Sequence, residues 1–320
     1  MTNKKFINPH QKKTKRTLFH YLLWQFGFYN EKAVKMPLPT DFIYPNRREV
    51  STSPYKLTWI NHSTFLIECD GVTFLTDPIF TTCFSPFPFI GPKRQHQPKP
   101  TLEDLAHRVD VVLISHNHYD HVDKKSLKKL QRANPSIQWI VPLGLKSWFE
   151  KKLQAESIFE LDWYKEVSLT KYSREIRCTA VPAQHFSGRG LFDANCSLWM
   201  GVVVEMGEKR FYFAGDTGYN EVDFKEIGGR YKKMDLSLLP IGIYTPRPFM
   251  RSVHINPEEA VIIHKEVHSV LSVGGHWKTF QLATHEESER PPFDLYCALQ
   301  KEGLSPEVFR VLEPGQTISW

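Results

Sequence analysis

The run His116-Asn117-His118-Tyr119-Asp120-His121 places three imidazoles and one carboxylate within six residues. Crowding that many titratable groups together is costly unless a cation binds among them. Imidazole and carboxylate ligands suit zinc, iron or manganese. The run holds no thiolate, which argues against a closed structural zinc site. A polar loop with incidental histidines is the bland alternative, and the density of ligand-type residues outweighs it. Three further residues share the same setting. His185 ends Pro182-Ala183-Gln184-His185, Asp216 lies in Gly215-Asp216-Thr217-Gly218, and His276 lies in Gly274-Gly275-His276-Trp277. Each comes just beyond an apolar stretch that reads as a strand. Taken singly, each is better read as a loop residue. Their recurrence is the specific signal.

The elements that must position these residues follow from the apolar pattern. Strands are expected over residues 57–60, 64–69 and 72–76, with Asp70-Gly71 as a tight hairpin turn. A buried strand over 109–115 delivers the histidine run to the carboxyl edge of a sheet. A helix over 124–131, a strand over 139–143 and a helix over 145–153 follow. In the second half, strands are expected over 177–182, 198–205, 210–214, 236–240 and 270–273. A helix over 257–267 carries Asn256 as N-cap, Pro257 in its first turn, and Glu258 and Glu259 against its dipole. Strands and helices in this order predict an α/β fold of four layers, αββα, with two sheets face to face and helices outside. The predicted division is an N-terminal basic and aromatic helix with a wrapping arm over 1–54, and a domain over 55–320 that carries all the ligand-type residues named above.

The chain has 320 residues, 41% of them hydrophobic and 24% charged, which is enough apolar material for a substantial core. Its net charge of +6 suits an anionic partner without choosing one. Five scattered cysteines without C-x-x-C spacing make a disulfide framework unexpected and fit a reducing compartment. No apolar run approaches the roughly 18–20 residues of a spanning helix. Lys4, Lys5, Lys12, Lys13, Lys15 and Arg16 precede an apolar stretch from Leu18 to Phe26. His20 and Gln25 interrupt it, and no A-x-A site follows, so a signal peptide is disfavoured. A surface-lying helix is expected, with a membrane interface and the protein's own core as equal destinations. Residues 80–100 hold four Phe and five Pro with Lys93 and Arg94, and read as a long functional loop. Phe84, Phe87 and Phe89 are candidates to enter an acyl boundary while Lys93 and Arg94 meet headgroups. An aromatic lid over the protein's own core is the even alternative.

Longer motifs narrow the reading. The H-x-H-x-D-H run with later His, Asp and His resembles the metallo-β-lactamase superfamily. Leu75-Thr76-Asp77-Pro78-Ile79-Phe80, Gly91-Pro92-Lys93-Arg94, residues 113–121, Phe213-Ala214-Gly215-Asp216-Thr217-Gly218-Tyr219 and His254-Ile255-Asn256-Pro257-Glu258-Glu259-Ala260-Val261 resemble, within it, the N-acylphosphatidylethanolamine-hydrolysing phospholipase D family. The likeness runs from about Trp59 almost to the C-terminus. It implies two zinc ions, one held by His116, His118 and His185, the other by Asp120, His121 and His276, with Asp216 bridging. Iron and manganese accept the same ligands. Also implied are catalytic roles for Asp216, Asp120 and His254, and substrate contacts from Tyr119 and His254. The implied reaction is hydrolysis of N-acylphosphatidylethanolamine to phosphatidic acid and an N-acylethanolamine. Asp77 and His62 are expected to orient ligands or line the cleft. The implied setting is cytoplasmic and peripheral on a membrane. Phospholipid is the expected partner, nucleic acid is not expected, and a homodimer is left open.

Rival readings have less support. His264 and His268 stand four apart on one helix, but the Glu is displaced from H-E-x-x-H and no third ligand is evident, so a solvated face is expected. Neither a P-loop nor a G-x-S-x-G elbow occurs. A lactonase or a soluble phosphodiesterase would share the metal ligands. A non-catalytic membrane-binding scaffold would be expected to have lost some of them.

Overall fold

The computed structural model describes residues 5–11, 37–45, 53–85, 91–190, 192–280 and 287–320. Among these, two seven-stranded mixed sheets form an α/β sandwich. The first contains β1 (Tyr55–Asn61), β2 (Thr64–Cys69), β3 (Val72–Thr76), β4 (Val111–Leu113), β5 (Gln138–Pro142) and β6 (Ile158–Leu161) in sequential order. The second contains β7 (Glu166–Lys171), β8 (Arg174–Val181), β9 (Gly201–Met206), β10 (Lys209–Phe213), β11 (Met234–Pro240), β12 (Ser269–Gly275) and β13 (Phe309–Arg310), also in order. The last strand, β14 (Thr317–Ser319), returns to pair antiparallel with β1 and closes the first sheet.

Period-two alternation explains the layering. Phe65 and Ile67 of β2, Phe74 of β3, Val111 and Leu113 of β4 and Ile140 of β5 face the second sheet. Their neighbours Leu66, Leu75, Val112, Trp139 and Val141 face outward and are covered by Leu127, Leu130, Phe149 and Leu153. Those covering residues sit on two helices, Lys124–Ala133 and Lys146–Leu153. A four-residue helix, Leu102–Leu105, adds Leu102 and Leu105 to the same layer. Because both faces of the central strands are buried, those strands read as continuous apolar runs.

In chain order the helices are α1 (Leu102–Leu105), α2 (Lys124–Ala133), α3 (Lys146–Leu153), α4 (Asp223–Tyr231), α5 (Arg247–Met250), α6 (Pro257–Glu266) and α7 (Arg290–Lys301). The predicted cap of α6 is present. Asn256 Oδ1 accepts the Glu259 amide at 2.9 Å, and Glu259 Oε2 accepts the Asn256 amide at 3.1 Å. Helices α4 and α7 and strands β6, β7, β13 and β14 were not anticipated. Gly228 and Gly229 lower the helical propensity of α4, and two prolines open α7. The packing explains one of those glycines. A Cβ on Gly228 would sit 1.8 Å from the Glu266 carbonyl oxygen, so only glycine lets α4 lie against the end of α6.

The arm also docks. Phe42 meets Phe293 edge-on at 5.0 Å, and the Tyr44 hydroxyl donates to the Phe309 carbonyl at 2.5 Å. The expected helix over residues 18–26 lies outside the described residues. Among the described residues, no helix is long and apolar enough to cross a membrane.

One expectation is corrected. His264 is not on a solvated face: it is buried, and its Nδ1 lies 2.8 Å from Ser272 Oγ on β12. The β12–α6 contact takes up this turn of the helix, whereas His268 lies beyond the helix end and is exposed. Burial lowers the His264 pKa to about 4. A depressed histidine pKa gives stability that is intact above the unfolded value, near 6.5, and is lost as pH falls toward 4. Between pH 6.5 and 5 this site should therefore lose about 2 kcal/mol. Denaturant midpoints at those two pH values should show a shallower acid loss in His264→Gln than in the wild type. Equal losses would contradict this account of the site.

Candidate metal centre

The sequence-singled residues converge at one edge of the sandwich. The His116 run leaves the carboxyl end of β4, His185 follows β8, Asp216 follows β10, and His276 follows β12. Residues from both sheets thus meet at strand ends, where open α/β sheets commonly bind ligands.

Two groups are resolved. In the first, His118 Nδ1 lies 2.8 Å from His116 Nε2 and 3.3 Å from His185 Nε2. In the second, Asp120, His121 and His276 gather with His62, all with ligand atoms within 4.8 Å of one another. Asp216 stands between the groups. Its Oδ2 is 3.2 Å from His121 Nε2 and 3.1 Å from His276 Nε2 on one side. On the other side it is 3.9 Å from both His116 Nε2 and His185 Nε2.

The far sides of these rings are held by the protein. His121 Nδ1 donates to Asp77 Oδ2 at 2.6 Å. Ser115 Oγ donates to the same carboxylate and accepts from His116 Nδ1 at 2.9 Å. His185 Nδ1 donates to the Val253 carbonyl at 2.9 Å. Each of these bonds puts the ring's N–H on the far side, so that the opposite nitrogen faces the centre and presents a lone pair whenever the ring is neutral. Asp77 is buried and takes the orienting place expected of it. His62 also orients, with Nε2 3.0 Å from Asp120 Oδ2, and the geometry puts it inside a metal-capable group as well.

Electrostatics fit a cation. Burial drives His116 and His185 well below the usual histidine range and His118 to about 4, so all three keep neutral, ligand-ready rings. Burial opposes ionisation of Asp216, yet His121 and His276 outweigh it and hold the carboxyl well below its usual value. Burial likewise opposes charge on His121, but Asp216, Asp120 and Asp77 hold its pKa well above the usual value. The protein alone answers three carboxylates by drawing a proton onto His121, and a metal ion would supply that positive charge instead. Asp216 Oδ1, His121 Nε2 and His276 Nε2 are buried without a hydrogen-bond partner of acceptable geometry. Buried lone pairs of ligand type without a partner are what such ions require, so the residues present fit the group once His121 has lost its extra proton.

The other predicted residues have mixed placements. His254 stacks on His276 at 5.3 Å and brings Nδ1 to 4.0 Å from Asp216 Oδ2. Tyr119 lines a cleft of about 330 Å³ with Phe84, Pro92, His118 and Asp120, but its hydroxyl already donates to the Arg189 carbonyl at 3.0 Å. Arg94 does not reach outward. Its guanidinium donates to the carbonyls of Ile79 and Thr81 and lies over the Phe280 ring, so internal carbonyls replace the expected headgroup contact. Phe84 packs edge-on against the same ring. Lys93 is exposed, while Phe87 and Phe89 lie outside the described residues. Ser115 and Arg189 were missed. Ser115 immediately precedes the run, a position that could have flagged it, whereas Arg189 left no signal in the sequence.

Comparison with known proteins agrees with this geometry. Residues 73–277, more than half of the chain, match the β-lactamase superfamily domain. The chain belongs to that superfamily and is a metal-dependent hydrolase. Within it, the chain is 44% identical over 264 residues to the N-acyl-phosphatidylethanolamine-hydrolyzing phospholipase D 1 of Caenorhabditis elegans, covering 81% of this chain and 74% of that protein. The mitochondrial protein of the same name from Saccharomyces cerevisiae is 35% identical over 237 residues, 73% of this chain and 50% of that one. A solved metallo hydrolase from the archaeon Ignicoccus hospitalis superposes with TM-score 0.61 at 25% identity, covering 83% of this chain and 98% of that one.

Asp77 supports both His116, through Ser115, and His121. Asp77→Asn should cut metal retention against a chelator by roughly 10- to 100-fold. Metal content of dialysed protein is the check, and wild-type retention would show that Asp77 does not orient the ligands.

Proposed function

We propose that the chain is a phosphodiesterase of the phospholipase D type that hydrolyses N-acylphosphatidylethanolamine to phosphatidic acid and an N-acylethanolamine. The observation that carries this reading is the paired arrangement around Asp216 Oδ2, in a chain 44% identical to a relative named for that reaction. In this reading His116, His118 and His185 hold one zinc ion, Asp120, His121 and His276 hold the other, and Asp216 serves both. Two such cations supply Lewis acidity toward a phosphoryl oxygen and lower the pKa of water toward neutrality. Asp120 and Asp216 keep the charge of the centre balanced in a buried setting. In this reading His254, beside Asp216, gives a proton to the departing ethanolamine oxygen. Tyr119 lines the cleft, with its hydroxyl held by the Arg189 carbonyl.

The rim supports a lipid substrate. Phe186 lies edge-on to His118 at 4.5 Å and is 40% exposed, and Phe192, on the same loop, is 91% exposed. Large exposed aromatics beside a polar centre suit a surface that meets acyl chains and headgroups together. This supports peripheral association with a membrane.

The direct test is zinc-loaded protein added to vesicles containing N-acylphosphatidylethanolamine, with products identified by mass. Release of phosphatidic acid and N-acylethanolamine is expected. Turnover of soluble lactones or diesters with the vesicles left intact would overturn the substrate assignment. Asp216→Asn should lower turnover by about 100-fold or more while leaving the melting temperature near that of the wild type. Near-normal turnover would remove Asp216 from its shared position.

A further inference from the structure

The loop after His185 is clamped onto the metal run by one side chain. Arg189 Nη1 donates to three backbone carbonyls of the run's segment: Asn117 at 2.8 Å, His118 at 3.3 Å and Val122 at 2.9 Å. Its guanidinium lies over the Tyr119 ring at 3.9 Å, and Trp148 flanks it at 5.6 Å. The contact is reciprocal. The Tyr119 hydroxyl donates to the Arg189 carbonyl, and the Gly188 amide donates to Asn117 Oδ1 at 2.8 Å. Asp193 fixes the loop from behind by accepting the amides of Arg189 at 3.0 Å and Gly190 at 2.7 Å. Among the described residues, no carboxylate forms a salt bridge with Arg189, so its side-chain hydrogen bonds go to backbone carbonyls.

We propose that Arg189 is a positioning residue that locks residues 117–122 in ligand geometry, so that metal retention depends on a side chain touching no metal. A histidine run on a loop has no ladder of its own to hold it. Its own turn gives only the His121 and Val122 amides to the His118 carbonyl, at 3.2 and 2.8 Å, and the neighbouring loop that carries His185 supplies further bonds to the carbonyls of Asn117, His118 and Val122. The first group of ligands is thereby cross-braced: His116 and His118 sit on the clamped loop, and His185 lies four residues before the clamp. A lysine ammonium has donors for the carbonyls but lacks the flat guanidinium face that lies over Tyr119, so it can replace the clamp only in part.

The proposal rests on the metal reading above, and its test separates the two. Full-length zinc-loaded wild type, Arg189→Ala, Arg189→Lys and Asp193→Ala are challenged with a chelator. Amide hydrogen exchange is followed in parallel. Arg189→Ala should release zinc at least about 10-fold faster and expose the amides of residues 117–122, with protection of the β-sheet core unchanged. Arg189→Lys should recover only part of the loss, and kcat should fall more than KM rises. Asp193→Ala should shift exchange in the same segment by less, and this decides the matter if Arg189→Ala fails to fold. Zinc release and exchange within about 2-fold of wild type, or exchange raised across the whole core, would overturn the proposal. A wild type that binds no zinc would refute the metal reading, while the exchange arm would still test the clamp.

Discussion

Three carboxylates, Asp77, Asp120 and Asp216, stand among seven imidazoles at one edge of the sandwich, and most of these groups are buried. Removing charged carboxylates from water is expensive unless positive charge lies beside them. Without a metal ion, the chain meets that demand by holding His121 protonated while burial keeps His116, His118 and His185 neutral. The result is a centre with fixed negative charge, open lone pairs and no internal partner for several polar atoms. That constraint explains why the ligand residues follow immediately on the ends of rigid strands. A softer scaffold would let the carboxylates turn to water.

The rest of the fold serves this edge. Two sheets built from apolar strands present their carboxyl ends together, so loops after β4, β8, β10 and β12 share a small volume although they are far apart in the chain. Around them lies a second set of bonds, through Asp77, Ser115, the Val253 carbonyl and Arg189, that orients rings rather than binding a ligand. Residues outside the superfamily domain join this set. Asn8 Nδ2 donates to the His185 carbonyl at 2.7 Å, Asn8 Oδ1 accepts from Trp199 Nε1, and Gln11 donates to the Ser252 carbonyl. The start of the chain therefore braces the same two loops that carry His185 and His254.

Much of this was legible in the sequence because its signals are local. A histidine run after an apolar strand, and isolated ligand-type residues after three other strands, identify where chemistry gathers. Alternating apolar residues give the layers, and the α6 cap is written in four consecutive residues, Asn256 to Glu259. What stayed hidden depends on tertiary context. Strand β7 is half exposed and carries only two apolar residues, Val167 and Leu169, and β14 is three residues whose pairing with β1 no local pattern encodes. The inward turn of Arg94 depends on carbonyls of Ile79 and Thr81, and the burial of His264 on the approach of β12. Neither contact leaves a trace in spacing. Arg189 is the sharpest case, since an arginine in a polar loop reads as solvated until its three carbonyl partners are seen.

The central claim is that Asp216 stands between two metal positions defined by residues from both sheets. Anomalous diffraction from crystals of the zinc-loaded protein, collected on either side of the zinc edge, tests it most directly. The account predicts two peaks flanking the Asp216 carboxylate, one against His116, His118 and His185 and one against Asp120, His121 and His276. A single peak, or peaks away from Asp216, would contradict it.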